Sequence, residues 1–308
     1  PPYVPRFHDE ALRPDGSPRP GYERLIDELA AADLRAVSAT LRRSLEQLGA
    51  TFGDGADART FQLDVVPRLL GAAEWNGLAV GMRQRARALN AFLADVYGEQ
   101  RIVAAGRVPS YVIETAAGYD PALHGIRPPG EHAPVIGFDL VRGADGRFSV
   151  LEENLRTPSG IAYCAAARTA VDEAVPISPP AGRAQPSASF GALGDAIRRA
   201  APDGAGDPSA VVLSDGPENS AWWEHRELAR ALGLPVVTPA ELHTRGARLY
   251  AAPEQGRSRE VQVVYRRTEE DALHDARGER TWLADLLLGP YEAGNLGIVN
   301  APGAGGAR

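Results

Sequence analysis

Two β-favouring runs, at residues 135–141 and 147–153, flank the Gly-Ala-Asp-Gly stretch at 143–146, and this arrangement constrains the fold more than any other part of the chain. Asp and Gly suit a tight reversal, so the two runs are expected to pair as an antiparallel hairpin. If Arg142 faces Arg147 across the turn, Asp139 faces Val150, and Glu152 and Asn154 follow on the same side at a period of two. Asp139, Glu152 and Asn154 then share one face. Two carboxylates and an amide oxygen are hard donors of the kind Mg²⁺ prefers, and three such groups hold a metal without enclosing it. An ordinary hairpin with acids on its wet side has the same pattern. A one-residue slip in register would turn the constellation away from whatever it serves.

Before this hairpin the chain reads as helical. Residues 22–48 carry Leu25, Ile26, Leu29, Leu34, Val37, Leu41, Leu45 and Leu48 at helical spacing, with Gly49 suited to the end. A second helix has the strongest periodicity in the sequence: Trp75, Leu78, Met82, Leu89, Phe92, Leu93 and Val96 form one apolar stripe that stops at Gly98. Its other faces present Arg83, Gln84, Arg85, Arg87 and Asn90, which suit either water or an anionic substrate. Pro and Gly residues across 106–134 predict a loop-rich approach to the hairpin. After it, residues 161–175 read as an Ala-rich helix. The Thr-Pro-Ser-Gly turn at 157–160 sits at its N-terminus, where free N–H groups suit a phosphate and where Thr and Ser are also ordinary caps.

Residues 177–186 read as a linker, and beyond them the pattern alternates. Strands are expected at 210–213, 235–237, 248–251 and 261–265, with a helix at 220–232, which predicts a small open α/β sheet. The 214–219 turn falls at a strand's carboxyl end, where such sheets bind ligands. Trp222, Trp223, Glu224 and His225 open the helix and suit core or a lobe interface more than a pocket. Arg266 and Arg267 follow a strand and precede Glu269, Glu270 and Asp271, which fits either anion binding or a structural ion pair.

A chain of 308 residues, 44% of them hydrophobic, is long enough for two lobes. A net charge of -7 speaks against nucleic-acid binding, and no run approaches the length of a membrane span. The lone Cys164 rules out an internal disulfide, and the reading is a cytoplasmic protein. The six histidines lack zinc spacing, no GxSxG elbow is present, and the terminal GAGG lacks the Lys-Ser/Thr of a phosphate loop. All 33 basic residues are arginine, and the sequence contains no lysine.

EENLRTPSGIAY resembles the signature of the circularly permuted ATP-grasp proteins, a group similar to the synthetase domain of glutathionylspermidine synthase. Further family-like phrases run through the chain, among them FHDEALRPDGSPRPGYERL, LSDGPENSAWWEHRELARALG, VVYRRTEEDAL and GNLGIVNAPGAG. The resemblance implies an α/β, ATP-grasp-like fold with a helical N-terminal region (1–105), a region carrying a metal-binding β-hairpin (106–180) and a small open α/β lobe (181–308). It implies ATP and Mg²⁺ as cofactors, with Asp139, Glu152 and Asn154 as metal ligands and Thr157, Ser159 and Arg142 against the nucleotide. Arg156 and Arg267 take the catalytic positions. The implied activity is ATP-dependent carboxylate-amine ligation through an acylphosphate, on small-molecule or peptide substrates; the alternative is a non-catalytic module that binds nucleotide or peptide and acts through a partner. One departure stands out. Glutathionylspermidine synthases carry Arg two residues before the Asp, where this chain has Gly137, and Arg142 or Arg156 is expected to stand in. Because the family's phosphate-binding lysines follow the hairpin, the 308 residues are expected to be part of a longer protein.

Overall fold

The computed structural model describes residues 7–53, 55–116, 118–252, 258–268, 273–274 and 279–307. The helix expected over 22–48 is two helices, α1 (Glu23–Ala31) and α2 (Leu34–Leu48). Asp33 parts them: its side chain accepts from the N–H of Arg35 at 2.9 Å and of Ala36 at 3.3 Å, starting α2 afresh. Gly49, at φ 65°, ends α2. A two-strand ribbon, β1 (Thr51–Phe52) with β2 (Arg59–Thr60), leads to α3 (Ala72–Val96). The apolar stripe of α3 is buried only near its C-terminus, at Leu93 and Val96, while Trp75 is 49% exposed. Short helices α4 (Arg101–Ala104) and α5 (Ser110–Glu114) follow.

The hairpin forms from β3 (Gly137–Arg142) and β4 (Phe148–Asn154), antiparallel. Next come α6 (Ile161–Ala174) and α7 (Ala188–Arg199), on either side of the segment read as a linker. The remainder is β5 (Ala210–Leu213), α8 (Trp222–Leu232), β6 (Val236–Val237), β7 (Leu242–Thr244), β8 (Leu249–Ala251), β9 (Arg259–Val261), β10 (Val263–Arg266), α9 (Trp282–Glu292) and β11 (Gly297–Val299). The single strand expected over 261–265 is two strands parted at Gln262. β9 joins an antiparallel sheet with β8 and β7, whereas β10 joins a parallel sheet ordered β11-β10-β5-β6.

Strand alternation gives this parallel sheet two apolar faces. Val211, Leu213, Val264 and Ile298 pack with Leu283, Leu287 and Leu288 of α9, in a core that also takes Leu93 and Leu155. Ala210, Val212, Val263 and Tyr265 face α7 and α8 through Leu193, Ile197, Leu228 and Ala229. α6 is the wedge between the sheet and the N-terminal helices: Ala162 belongs to the α7/α8 core, while Ala166 and Ala170 pack against Leu25, Leu41 and Leu45. The cores therefore draw on all three regions expected from the sequence. Among the described residues, no helix is long and apolar enough to cross a membrane.

Candidate active site

The hairpin register differs from the sequence expectation twice, and the two differences add in the same direction. Arg142 pairs with Phe148 rather than Arg147, a shift of one residue, and a bulge between Asp139 and Leu140 adds a second. Asp139 consequently lies directly opposite Glu152, and Gly137 opposite Asn154. A total shift of two residues preserves the face, so Asp139, Glu152 and Asn154 share one side of the hairpin. Asp139 and Glu152 are exposed. Among the described residues Asp139 has no ion-pair partner, whereas Glu152 does interact with the protein. The donor set thus fits Mg²⁺: two hard carboxylates and an amide, open to solvent on one side. Among the described residues no group of three or more His, Cys, Asp or Glu side chains is placed to hold a metal.

The other face of the hairpin is structural. Arg142 lies over the Phe148 ring, 3.9 Å from its centroid. It pairs with Glu10 at 3.0 Å and Glu74 at 2.7 Å and donates to the Gly146 carbonyl at 2.8 Å. This guanidinium points away from Asp139 and Glu152, so the nucleotide contact expected of it is not part of the site described below. Arg85 and Asn90 of α3 also serve the hairpin region: Arg85 pairs with Glu153 at 2.8 Å, and the Asn90 amide exchanges two hydrogen bonds with the Ala133 backbone.

The loop after β4 folds back over the acidic face. A Cβ at Gly137 would meet the Pro158 Cβ at 3.0 Å, so the family's arginine position is occupied here by the loop itself. Arg267, carried just past the end of β10 and 3% exposed, donates to the Pro158 carbonyl at 2.8 Å and to Ser159 Oγ at 2.6 Å. Ser159 is exposed, and Arg156 and Thr157 are half-buried. Arg266 is fully buried, with Nη1 donating to the Thr268 carbonyl at 3.0 Å. Glu269, Glu270 and Asp271 lie outside the described residues.

Two residues that the sequence reading assigned to core or interface complete this arrangement. Glu224, at the start of α8 and wholly buried, accepts from the N–H of Gly160 at 2.8 Å and of Ala162 at 2.9 Å. Its second oxygen lies 3.1 Å from the Gly160 nitrogen and 3.9 Å from the Arg267 guanidinium. The N-terminus of α6 therefore already holds an anion, supplied by the protein, and neither Thr157 nor Ser159 caps it. Beside it, His225 Nδ1 and Ser214 Oγ are 2.7 Å apart, both buried. Burial, with the positive charge of Arg267, pushes the His225 imidazole down to about 3. Ser214 Oγ also accepts from the Gly216 N–H at 3.2 Å. Tyr163 titrates above its ordinary range, raised by burial and by the Glu224 charge.

Arg267 and Ser214 leave neighbouring strands, β10 and β5, at their carboxyl ends. The chain builds β6 on one side of β5 and β10 and β11 on the other, so this is the point where the strand order reverses, the usual ligand position of an open α/β sheet. Asn300, just past β11, is the remaining anchor. Its Nδ2 donates to the carbonyls of Val135 and Leu155, both at 2.6 Å, and its Oδ1 accepts from Val135 N–H at 3.1 Å. One buried amide thereby fixes the entrance and exit of the hairpin against the sheet. A Gly-rich phrase in the sequence contains it, but no local signal marks its role.

A mixed α/β architecture with an acidic hairpin set against the carboxyl ends of a parallel sheet defines an ATP-grasp-like class of protein. The chain belongs to the circularly permuted ATP-grasp type 2 family, whose model matches residues 67–307. It is 40% identical to the Frankia alni protein "Putative glutamate--cysteine ligase 2-3" over 98% of this chain and 36% of that protein. It is 37% identical to the uncharacterized protein sll0335 of Synechocystis over 97% of this chain and 64% of that one. The chain thus spans roughly one to two thirds of the length of these relatives. Among solved structures, a glutathione synthetase-like effector from Globodera pallida in its apo form shares the fold, with a TM-score of 0.53 and 14% identity. That match covers 90% of this chain and 64% of the other.

Proposed function

We propose that this chain carries the magnesium and acyl-transfer face of an ATP-dependent ligase that joins a carboxylate to an amine. The observation that carries the reading is the direct opposition of Asp139 and Glu152, with Asn154 on the same face. Family membership and the ligase name borne by the Frankia alni relative support it. Asp139, Glu152 and Asn154 would hold Mg²⁺, which would supply neutralisation of the charge that develops as the phosphoryl group transfers. The acid substrate's carboxylate oxygen attacks the γ-phosphorus of ATP and ADP leaves. The amine then attacks the acyl carbon, the carbon–oxygen bond to phosphate breaks, and the amine nitrogen gives up a proton.

The chain's own residues hold the substrates for those steps. Ser159 Oγ accepts from Arg267, which leaves its O–H free to donate to a substrate or phosphoryl oxygen. Arg156 and Thr157 lie in the same loop and provide further donors, and Arg156 suits a carboxylate because its fork matches two oxygens. The sequence's small-molecule or peptide acid and amine remain the substrate classes.

The test is calorimetry of ATP binding with and without Mg²⁺, on the full-length protein and on its Glu152→Ala variant. Metal-dependent binding that the substitution removes is the expected result. ATP binding equal in both proteins would remove the metal assignment. One observation favours the second reading, a nucleotide- or peptide-binding module without turnover: the loop fills the position of the family's arginine at Gly137, and Arg142 is committed elsewhere. Release of ADP only when both acid and amine are supplied separates the ligase from the module.

A further inference from the structure

From the geometry we infer that Glu224 is a positioning residue: by occupying the N-terminus of α6 as an internal anion, it sets in place the Pro158–Ser159 loop, which packs on β3 at Gly137, and the Arg267 guanidinium that holds that loop. The assignment of Arg267 and Ser159 to the reaction rests on the ligase reading above; the clamp itself does not. Three facts carry the inference. The first turn of α6 has no side-chain cap of its own, and its leading N–H groups instead reach a carboxylate more than sixty positions away in sequence. That carboxylate is completely buried, where the desolvation cost is offset only by strong partners. Arg267 bridges the two sides, with Nη2 on Ser159 Oγ and 3.9 Å from Glu224, and Nη1 on the Pro158 carbonyl.

A helix N-terminus attracts phosphate through its free N–H groups and dipole. Here that attraction is already satisfied. Glu224 keeps a substrate phosphate from settling on α6 and leaves the exposed Ser159 hydroxyl, and a metal held by Asp139, Glu152 and Asn154, as the places where phosphate would be met. A residue two positions from the Trp222 that opens α8 thereby reports the position of the helix to the loop.

Amide hydrogen exchange at Gly160 and Ala162 tests the clamp without any need for turnover. In Glu224→Ala their exchange is expected to rise roughly tenfold to hundredfold, the worth of a hydrogen bond to a charged group. Formate, a carboxylate small enough for the vacated space, is expected to restore protection, whereas chloride at equal ionic strength is not. Unchanged exchange in the folded variant, or equal effects of formate and chloride, would overturn the inference. If Glu224→Ala does not fold, Glu224→Gln decides: its NH₂ faces Arg267 and Gly160, so faster exchange at Gly160 is expected, and wild-type exchange would refute the clamp.

Turnover then tests positioning. In the presence of ATP, acid and amine, Glu224→Ala is expected to lose at least about tenfold in kcat, with formate returning most of it, while Asp139→Ala gains nothing from formate. Lost protection with undiminished kcat would overturn the positioning role. A full-length wild-type protein without turnover would sink the ligase reading alone, since the exchange result stands apart from it.

Discussion

Asp139 and Glu152 pair directly across the hairpin, and the proposed metal would lie between them. Asp139→Ala and Glu152→Ala are each expected to weaken Mg²⁺-dependent ATP binding by at least roughly tenfold, since even outer-shell partners of a metal commonly matter that much. Titration of both variants beside wild type checks this. His225 makes a second prediction at the same scale. Its folded value, about 3, lies below the ordinary 6.5, so the unfolded chain binds the proton more readily. The stabilising effect of keeping the ring neutral is complete above pH 6.5 and is lost as pH falls from there toward 3. Denaturant melts between pH 6.5 and 5 should show stability falling by about 1.4 kcal/mol per unit as protonation of the unfolded histidine becomes complete. His132, also lowered by burial, adds to the same window. His225→Gln should flatten part of that slope, and an unchanged slope would remove His225 as its source.

Elements, rather than single residues, set the faces. The bulge in the hairpin and the one-residue difference at its turn sum to two residues, which is why an incorrect register still predicted the correct face. Alternation was legible in the sequence because it depends only on parity. The bulge was not, because an extra unpaired residue, Leu151, reads like any other strand position and is revealed only by its 71% exposure. The packing of the loop against β3 gives a further prediction. Gly137→Ala would place a methyl 3.0 Å from the Pro158 Cβ and 3.5 Å from the Asn154 Cβ. It is expected to cost about 1 to 2 kcal/mol through overpacking, read as a lower denaturation midpoint with unchanged m. A midpoint equal to wild type would show that the loop yields freely.

At the scale of the whole molecule, α6 joins the N-terminal helices to the sheet and Asn300 ties the sheet to both ends of the hairpin. Asn300→Ala leaves the carbonyls of Val135 and Leu155 without this partner. A loss of about 3 kcal/mol is expected, and calorimetry should show Tm lower by roughly 6 °C. If Tm holds while Mg²⁺-dependent ATP binding declines, the amide orients the hairpin without supporting its stability. α3, the end of the hairpin and the parallel sheet also share the core that takes Leu93, Leu155 and Val264 together.

Residue types and their periods were enough to establish the hairpin, its acidic face, the β5 strand at residues 210–213 and the loop of Arg156, Thr157 and Ser159. These are local features, written in patterns two to four residues long. The tertiary structure alone decided that Arg142 turns away from the acids, that Glu224 rather than Thr157 or Ser159 holds α6, and that Asn300 binds Val135 across 165 positions. Each is a pairing of buried polar groups distant in sequence. Burial makes such pairing obligatory, yet the choice of partner depends on where the folded chain brings the groups together.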